Sequence, residues 1–480
     1  MSRLQSAVAA DLHERGYFWY ATEILPKGHF APESAVPGLL KIDTNGYVEL
    51  ELDSFLKRHP GFGDKFSSVD DGSPRLVAIQ GLLYDRHEHA LLVEAWENGV
   101  SFRSEGPNTQ RFRATMCLVG RESISHRHAG PSVSRVEFDL AGYGAWLALA
   151  AFKDMPHKRK TQFTYVRPKQ HRYVTPWGSL SLARSLTYEI GVREGEAGFS
   201  ATERATLVAQ FRRTIPLRKV LEHNLLVEDL LLLLSNNVVR PNWSRVRVGR
   251  KRSLYRLYHS RWKEPEPAKT DLPWIRFPDV ADTFGDIFTA WQTGREKFGP
   301  GYYLYLGTRR GVSLYEEHRL INLIWGLETL HRRKFGDGIP SHKLTARLDR
   351  LYGSVSDNKD LIWLKRQLQH AAEPRLADRL FQLFKGLPLG LEATHLREFC
   401  DRCAKYRNDM SHHGGARAGE DYGKLLDEWS EHASALSALY HLLLLAEIGI
   451  PDRLLDRIIR GPSGWKFGWH FRPVGLSLDS

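Results

Sequence analysis

The chain predicts an α+β fold: a β-rich mixed N-terminal domain over residues 1–272, an all-α helix bundle over 273–465 and a C-terminal tail over 466–480. Three observations carry this. The first part alternates polar and apolar residues at period two between glycine, proline and aspartate turns. The second spaces its leucines three and four apart. Between them a proline-rich run, Glu264-Pro265-Glu266-Pro267 through Pro273 and Pro278, falls where the period changes. At 480 residues the chain also exceeds the size at which one hydrophobic core stops growing.

From about Tyr17 to Tyr188 the sequence reads as short strands. Tyr47-Val48-Glu49-Leu50-Glu51-Leu52 alternates at period two, and Leu76 to Leu83 and Ala90 to Trp96 are apolar strand-like runs. Pro37-Gly38, Asn45-Gly46, Asp71-Gly72 and Asn98-Gly99 read as turns between them. Ala201 to Leu234 reads as more helical, through Leu217, Val220, Leu221, Leu225 and the run Leu230 to Leu234. That makes the domain mixed. Beyond the prolines, helices are expected over about Leu314 to Arg333, Leu344 to Tyr352 and Leu361 to Gln369, then around Leu376 to Phe384. Two more, Leu391 to Tyr406 and Tyr422 to Ile448, complete the bundle.

Composition narrows the function classes. Hydrophobic residues at 42%, thirteen tryptophans and eighteen tyrosines describe a packed protein rather than a disordered one. A formal charge of +12 favours a polyanionic partner, with nucleic acid the leading candidate. Three cysteines, Cys117, Cys400 and Cys403, make no disulfide framework, and one Cys-x-x-Cys makes no complete zinc site. Leu396, Phe399, Cys400 and Cys403 follow helical spacing, which places both thiols on a buried face. Asp11 and Glu14 stand where a signal peptide needs apolar residues, and no apolar run approaches a membrane span. The expected location is the cytoplasm, away from any membrane.

Two stretches without carboxylates are basic. Met155 to Tyr188 holds Lys158, Arg159, Lys160, Arg167, Lys169 and Arg172 among Phe163, Tyr165, Tyr173 and Trp177. After the Leu230 run, the second holds Arg245, Arg247, Arg250, Lys251, Arg252 and Arg256 among Trp243, Tyr255, Tyr258 and Trp262. Cations interleaved with rings suit single-stranded nucleic acid, whose phosphates they neutralise and whose bases they stack. The same alternation also describes a strand with rings inward and charges in solvent.

The candidate catalytic segment is Lys405-Tyr406-Arg407-Asn408-Asp409-Met410-Ser411-His412-His413-Gly414-Gly415. Arginine grips a phosphate with a fork of N–H donors, and histidine moves a proton near neutral pH. The pair Arg121 and His126 has the same separation but lies among short alternating segments, so the flanking helices single out Arg407 and His412. On one continuous helix, five residues turn through about 500°, which points the two side chains about 140° apart. Either the helix ends inside the motif, as Gly414-Gly415 allows, or a two-fold partner supplies half of the site.

A late Arg-Asn-x-x-x-His segment between the last helices of a bundle resembles the HEPN ribonucleases, and in particular their ApeA-like group of bacterial antiphage proteins. The earlier helix with Trp325-Gly326-Leu327-Glu328-Thr329-Leu330-His331 resembles the first HEPN helix of that group. Gly28-His29-Phe30, Pro37-Gly38-Leu39-Leu40 and Gly46 to Leu52 resemble the opening of the domain that precedes it. The resemblance implies a dimeric or larger homo-oligomeric endoribonuclease that needs no metal or other cofactor. It implies that the RNA substrate's own 2′-hydroxyl attacks the adjacent phosphate, and that the enzyme serves abortive infection under a phage-derived trigger. By position, Arg407 would orient the phosphate, His412 would act as general acid or base, and Asn408 would hold the geometry. Glu328 would orient Arg407 or His412, or else serve as a solvated, helix-pairing glutamate. His413 is the other imidazole that could carry the proton. The alternative is a non-catalytic HEPN module for dimerisation, nucleic-acid binding or sensing.

Overall fold

The computed structural model describes all residues except 1–11, 57–75, 103–107, 125–129, 150–151, 158–159, 166–167, 194–195, 238, 240, 250, 262–272, 311–313, 339–341, 414–418, 420, 462–463 and 478–480. The chain forms two compact units. One holds Met1–Glu228 and Val239–Glu266, the other Asp229–Val238 and Pro267–Ser480. Asp229–Val238, which the sequence places with the β-rich part, thus groups with the bundle. The β-rich unit followed by helices is the α+β architecture expected from the sequence.

The first unit begins with β1 (Leu12–Tyr20), β2 (Val36–Ile42), β3 (Val48–Leu52), β4 (Val77–Leu83), β5 (His89–Ser101) and β6 (Thr109–Gly120). Every pairing is antiparallel, in the order β6-β3-β2-β1-β4-β5, and β5 returns to β6, closing a six-stranded barrel. Closure removes the exposed edges that an open sheet would leave. Alternation places Leu40, Leu50, Ile79, Leu83, Leu92 and Cys117 in one fully buried cluster. Each such aliphatic side chain contributes roughly 1.5–3 kcal/mol by leaving water.

The sheet continues out of the barrel through β6. Its residues 110–114 pair with β3 and its residues 116–119 with a later strand. The following elements are β7 (Ser132–Asp139), α1 (Gly144–Leu147), β8 (Phe152–His157), β9 (Lys160–Tyr165), β10 (His171–Thr175), β11 (Gly178–Arg193) and β12 (Glu196–Pro216). α2 (Leu217–Ser235), β13 (Arg245–Val248) and β14 (Leu254–His259) complete the series. The extension runs β6-β14-β13-β7-β12-β11-β10, while β8 and β9 form a separate hairpin.

Several local expectations change. Residues 201–216 are strand, not helix, because β12 pairs with both β11 and β7. The leucine signal begins at Leu217, after Pro216, where α2 starts. Pro37-Gly38 lies inside β2, and Asn98-Gly99 lies at a bulge within β5. Asn45-Gly46 is a turn, with the Asp43 carboxylate accepting the Asn45 and Tyr47 amides. Gly46 is required there: its φ is +78°, and a Cβ would stand 1.9 Å from the His259 carbonyl oxygen. Asp71-Gly72 lies outside the described residues.

The second unit holds α3 (Phe277–Val280), α4 (Phe284–Phe298), α5 (Pro300–Arg309), α6 (Glu316–Phe335), α7 (His342–Gly353) and α8 (Asn358–Leu368). They are followed by α9 (Leu376–Phe384), α10 (Ala393–His413), α11 (Tyr422–Glu447), α12 (Asp452–Arg460) and α13 (Trp465–Phe471). The last falls across the start of the stretch read as a tail. α6 is the central helix and packs on α4, α5, α9, α10 and α11. Leu320, Leu323, Ile324, Leu327 and Leu330 form its buried face, as their spacing predicts. Gly326 lets α11 approach: a Cβ there would lie 2.5 Å from the Tyr440 hydroxyl, which donates to the Gly301 carbonyl. α7 and α8 pack on each other and bury no residue.

Candidate active site

α10 is set by one apolar stripe. Leu396, Phe399, Cys400, Cys403, Tyr406 and Met410 recur at three and four residues and are all buried. Burial pushes the Cys400 thiol up to about 12 and raises that of Cys403 well above its ordinary value, so both are packing groups, as the spacing indicates. Tyr406 clamps α10 to α11. Its hydroxyl donates to the Glu428 carboxylate at 2.7 Å, and its ring stands edge-on to His432, on which Phe399 stacks. Arg407 follows this anchor and turns toward α6.

There the Arg407 Nη2 donates to Glu328 Oε2 at 3.3 Å, and its Nη1 donates to Asn408 Oδ1 at 3.1 Å. The Arg407 side chain is 27% exposed and that of Glu328 16%. Arg407 Nε is buried and has no hydrogen-bond partner among the described residues. Glu328 has two duties, because its Oε1 accepts from Arg332, one turn on, at 3.2 Å. Glu328 thus pairs within its helix and also faces Arg407.

Behind Glu328 the charges form a chain. Arg332 also pairs with Asp337 and Glu373, and these two carboxylates meet Arg379, which is 1% exposed. Arg379 donates to His331 Nδ1, which fixes the tautomer: His331 Nε2 carries the proton and donates to Gln382 at 2.9 Å. Sequence reading missed this chain. The spacing of Glu328 and Arg332 signals their pair, whereas nothing in the leucine pattern of α9 signals a buried arginine.

His412 is exposed, and α10 runs on through it to His413. The helix does not end inside the motif, which corrects the first of the two arrangements that the spacing allows. Arg407 and His412 therefore stand on different sides of one helix, about 140° apart by helical geometry. The His413 side chain and Gly414-Gly415 lie outside the described residues. Burial lowers the pKa of His331 and His432, and it pushes that of His441 down to about 3. Those three rings are neutral structural groups, and exposed His412 differs from them in being open to solvent.

The second predicted site is arranged differently. Trp243, Tyr255 and Tyr258 are buried, so these rings face the core rather than a ligand. Arg245 pairs with Glu137, Arg256 with Glu88 and Lys251 with Glu122. Arg252 is exposed, Arg247 is half-buried on β13, and Arg250 lies outside the described residues. So do Trp262 and, in the first basic stretch, Lys158, Arg159 and Arg167. Strand alternation, with rings inward, is the arrangement observed. In the other Arg-x-x-x-x-His pair, Arg121 is exposed and His126 lies outside the described residues.

No helix among the described residues is long and apolar enough to cross a membrane. No match is found among curated proteins or solved structures. Two family models do match: ApeA N-terminal domain 1 over residues 13–291, and Apea-like HEPN over residues 321–454. The second spans α6 and α10, and with them Glu328, Arg407, Asn408 and His412. With the first model alone covering more than half of its length, the chain belongs to the ApeA-like HEPN family.

Proposed function

We propose that the chain is an antiphage endoribonuclease whose site is completed by a second copy of itself. The observation that carries this is the pairing of an oriented arginine with an exposed histidine on one helix: Glu328 and Asn408 fix Arg407, and His412 points elsewhere. A two-fold axis that brings two α10 helices together lets Arg407 of one copy meet His412 of the other. Arg407 then binds the non-bridging oxygens of the scissile phosphate and neutralises their developing charge. The substrate's 2′-hydroxyl loses its proton and attacks phosphorus, the bond to the 5′-oxygen breaks, and that oxygen takes a proton. The products carry a 2′,3′-cyclic phosphate and a 5′-hydroxyl. His412 performs one of the two proton transfers. DNA lacks the nucleophile and is spared. No step calls for a metal ion, so cleavage should persist in EDTA. In this reading the enzyme acts in the bacterial cytoplasm, where a phage-derived trigger releases it and RNA cleavage halts the infected cell.

The test is incubation of total RNA with the purified full-length chain and with His412→Ala. Fragments with cyclic phosphate ends should form with the first and not the second. Equal cleavage by both would remove His412 from the chemistry. A second reading has its own support: Glu328 already neutralises Arg407. In that reading the bundle only dimerises and binds nucleic acid, and the wild type binds RNA without cutting it.

A further inference from the structure

The face of β7 and β13 carries more positive charge than its own carboxylates satisfy. Arg247 on β13 lies directly opposite Arg135 on β7, and Arg245 lies directly opposite Glu137. Like charges in opposed positions of a sheet repel, so a bare arginine pair there is unfavourable unless an anion joins it. Glu137 is the one carboxylate paired with this group among the described residues. Its two oxygens are taken by Arg135 at 2.6 Å and by Arg245 at 3.0 Å. Arg247 makes no side-chain hydrogen bond or ion pair with any described residue, unlike Arg245, Lys251 and Arg256. The Nε atoms of Arg135 and Arg247 are both buried and have no hydrogen-bond partner among the described residues. Buried donors in a native protein ordinarily have partners, and a water or an anion would supply them here.

We infer that Arg247 and Arg135 form a phosphate-binding site on this sheet face, and that its ligand is the backbone of RNA. A polymer fits better than a single small anion because the cations continue along the sheet: Arg245 lies opposite Arg256 on β14, and exposed Arg252 lies in the connection between β13 and β14. The described rings of this stretch, Trp243, Tyr255 and Tyr258, are buried, so the site contacts phosphates rather than stacking bases on them. It therefore binds without strong sequence preference and loses affinity with salt. The inference extends the reading of the chain as an RNA-acting protein, but binding here needs no cleavage.

The experiment measures binding of a fluorescent single-stranded RNA oligonucleotide to the full chain carrying His412→Ala, across a range of salt concentrations. Adding Arg247→Gln should weaken binding several-fold and reduce the slope of log K against log salt by about 0.7, the share of one phosphate contact on a single strand. Adding Arg247→Lys should restore most of the slope. Thermal stability of the Arg247→Gln variant should be unchanged or raised, because it removes a like-charge neighbour of Arg135. A loss of stability would make Arg247 a structural residue and overturn the site. Unchanged affinity and slope would also overturn it. Inorganic pyrophosphate is the second probe: if it binds in an Arg247-dependent way while the oligonucleotide does not, the RNA assignment fails. The nuclease reading is judged separately, by cleavage with an intact His412.

Discussion

Arg407 is useful to a phosphate only because something else keeps its fork in place, and that something is a shared acid. Glu328 divides its oxygens between Arg407 and Arg332. Removing it leaves two partly buried guanidiniums without their common counter-charge. Glu328→Ala should cost about 1–2 kcal/mol, as loss of a charged hydrogen-bond partner does, read as a lower urea midpoint. Arg407→Lys keeps the charge but loses the planar fork that spans Glu328 and Asn408. Cleavage should fall by at least about tenfold, in a single-turnover assay with folding checked by circular dichroism. The candidate residues were legible because arginine and histidine carry distinctive chemistry next to a helix break. Their mutual direction was only half legible. Helical geometry gives about 140°, but whether the helix persists depends on the Tyr406 anchor and the stripe from Leu396 to Met410. The rings of the basic stretch were illegible for a related reason: alternation fits both a stacking platform and an ordinary strand, and burial of Trp243, Tyr255 and Tyr258 separates the two.

At the scale of elements, close helix packing in the bundle depends on small residues and neutral buried rings. Gly326→Ala should push α11 from α6, because the new methyl meets the Tyr440 hydroxyl. Overpacking of this kind costs about 1–3 kcal/mol, and adding Tyr440→Phe should recover part of the lost urea midpoint. His441 supplies a pH signature. Its Nε2 donates to the Leu233 carbonyl at 2.8 Å and its Nδ1 meets the Tyr305 hydroxyl at 2.7 Å, so the folded ring is neutral. Burial holds its pKa near 3, against about 6.5 in the unfolded chain. Between those values the unfolded state binds more protons, so stability should fall as pH drops from about 6.5 and level off above it. His441→Gln should be less stable at pH 7 and show a flatter slope, in urea titrations at pH 7, 6 and 5. Helices were read well because a 3.6-residue period needs only local sequence. β12 was not, because its partners β7 and β11 decide its state and the leucines quoted as helical begin after Pro216.

For the molecule as a whole, a closed barrel with a long sheet extension and a HEPN bundle form two compact units. Barrel closure was beyond sequence reading, because it rests on β5 and β6 meeting through long-range pairing. In the proposed enzyme, Arg407 and His412 of different copies make one RNA-cleaving site. Mixing inactive Arg407→Ala and His412→Ala chains, with exchange of subunits, tests it most directly. In a heterodimer one cleft combines the intact Arg407 of one copy with the intact His412 of the other, and its twin has neither. Random exchange should restore RNA cleavage to about a quarter of the wild-type rate, since half of the dimers are mixed and each holds one working cleft. If the wild type cleaves RNA while the exchanged mixture stays as inactive as either variant alone, the shared site is contradicted.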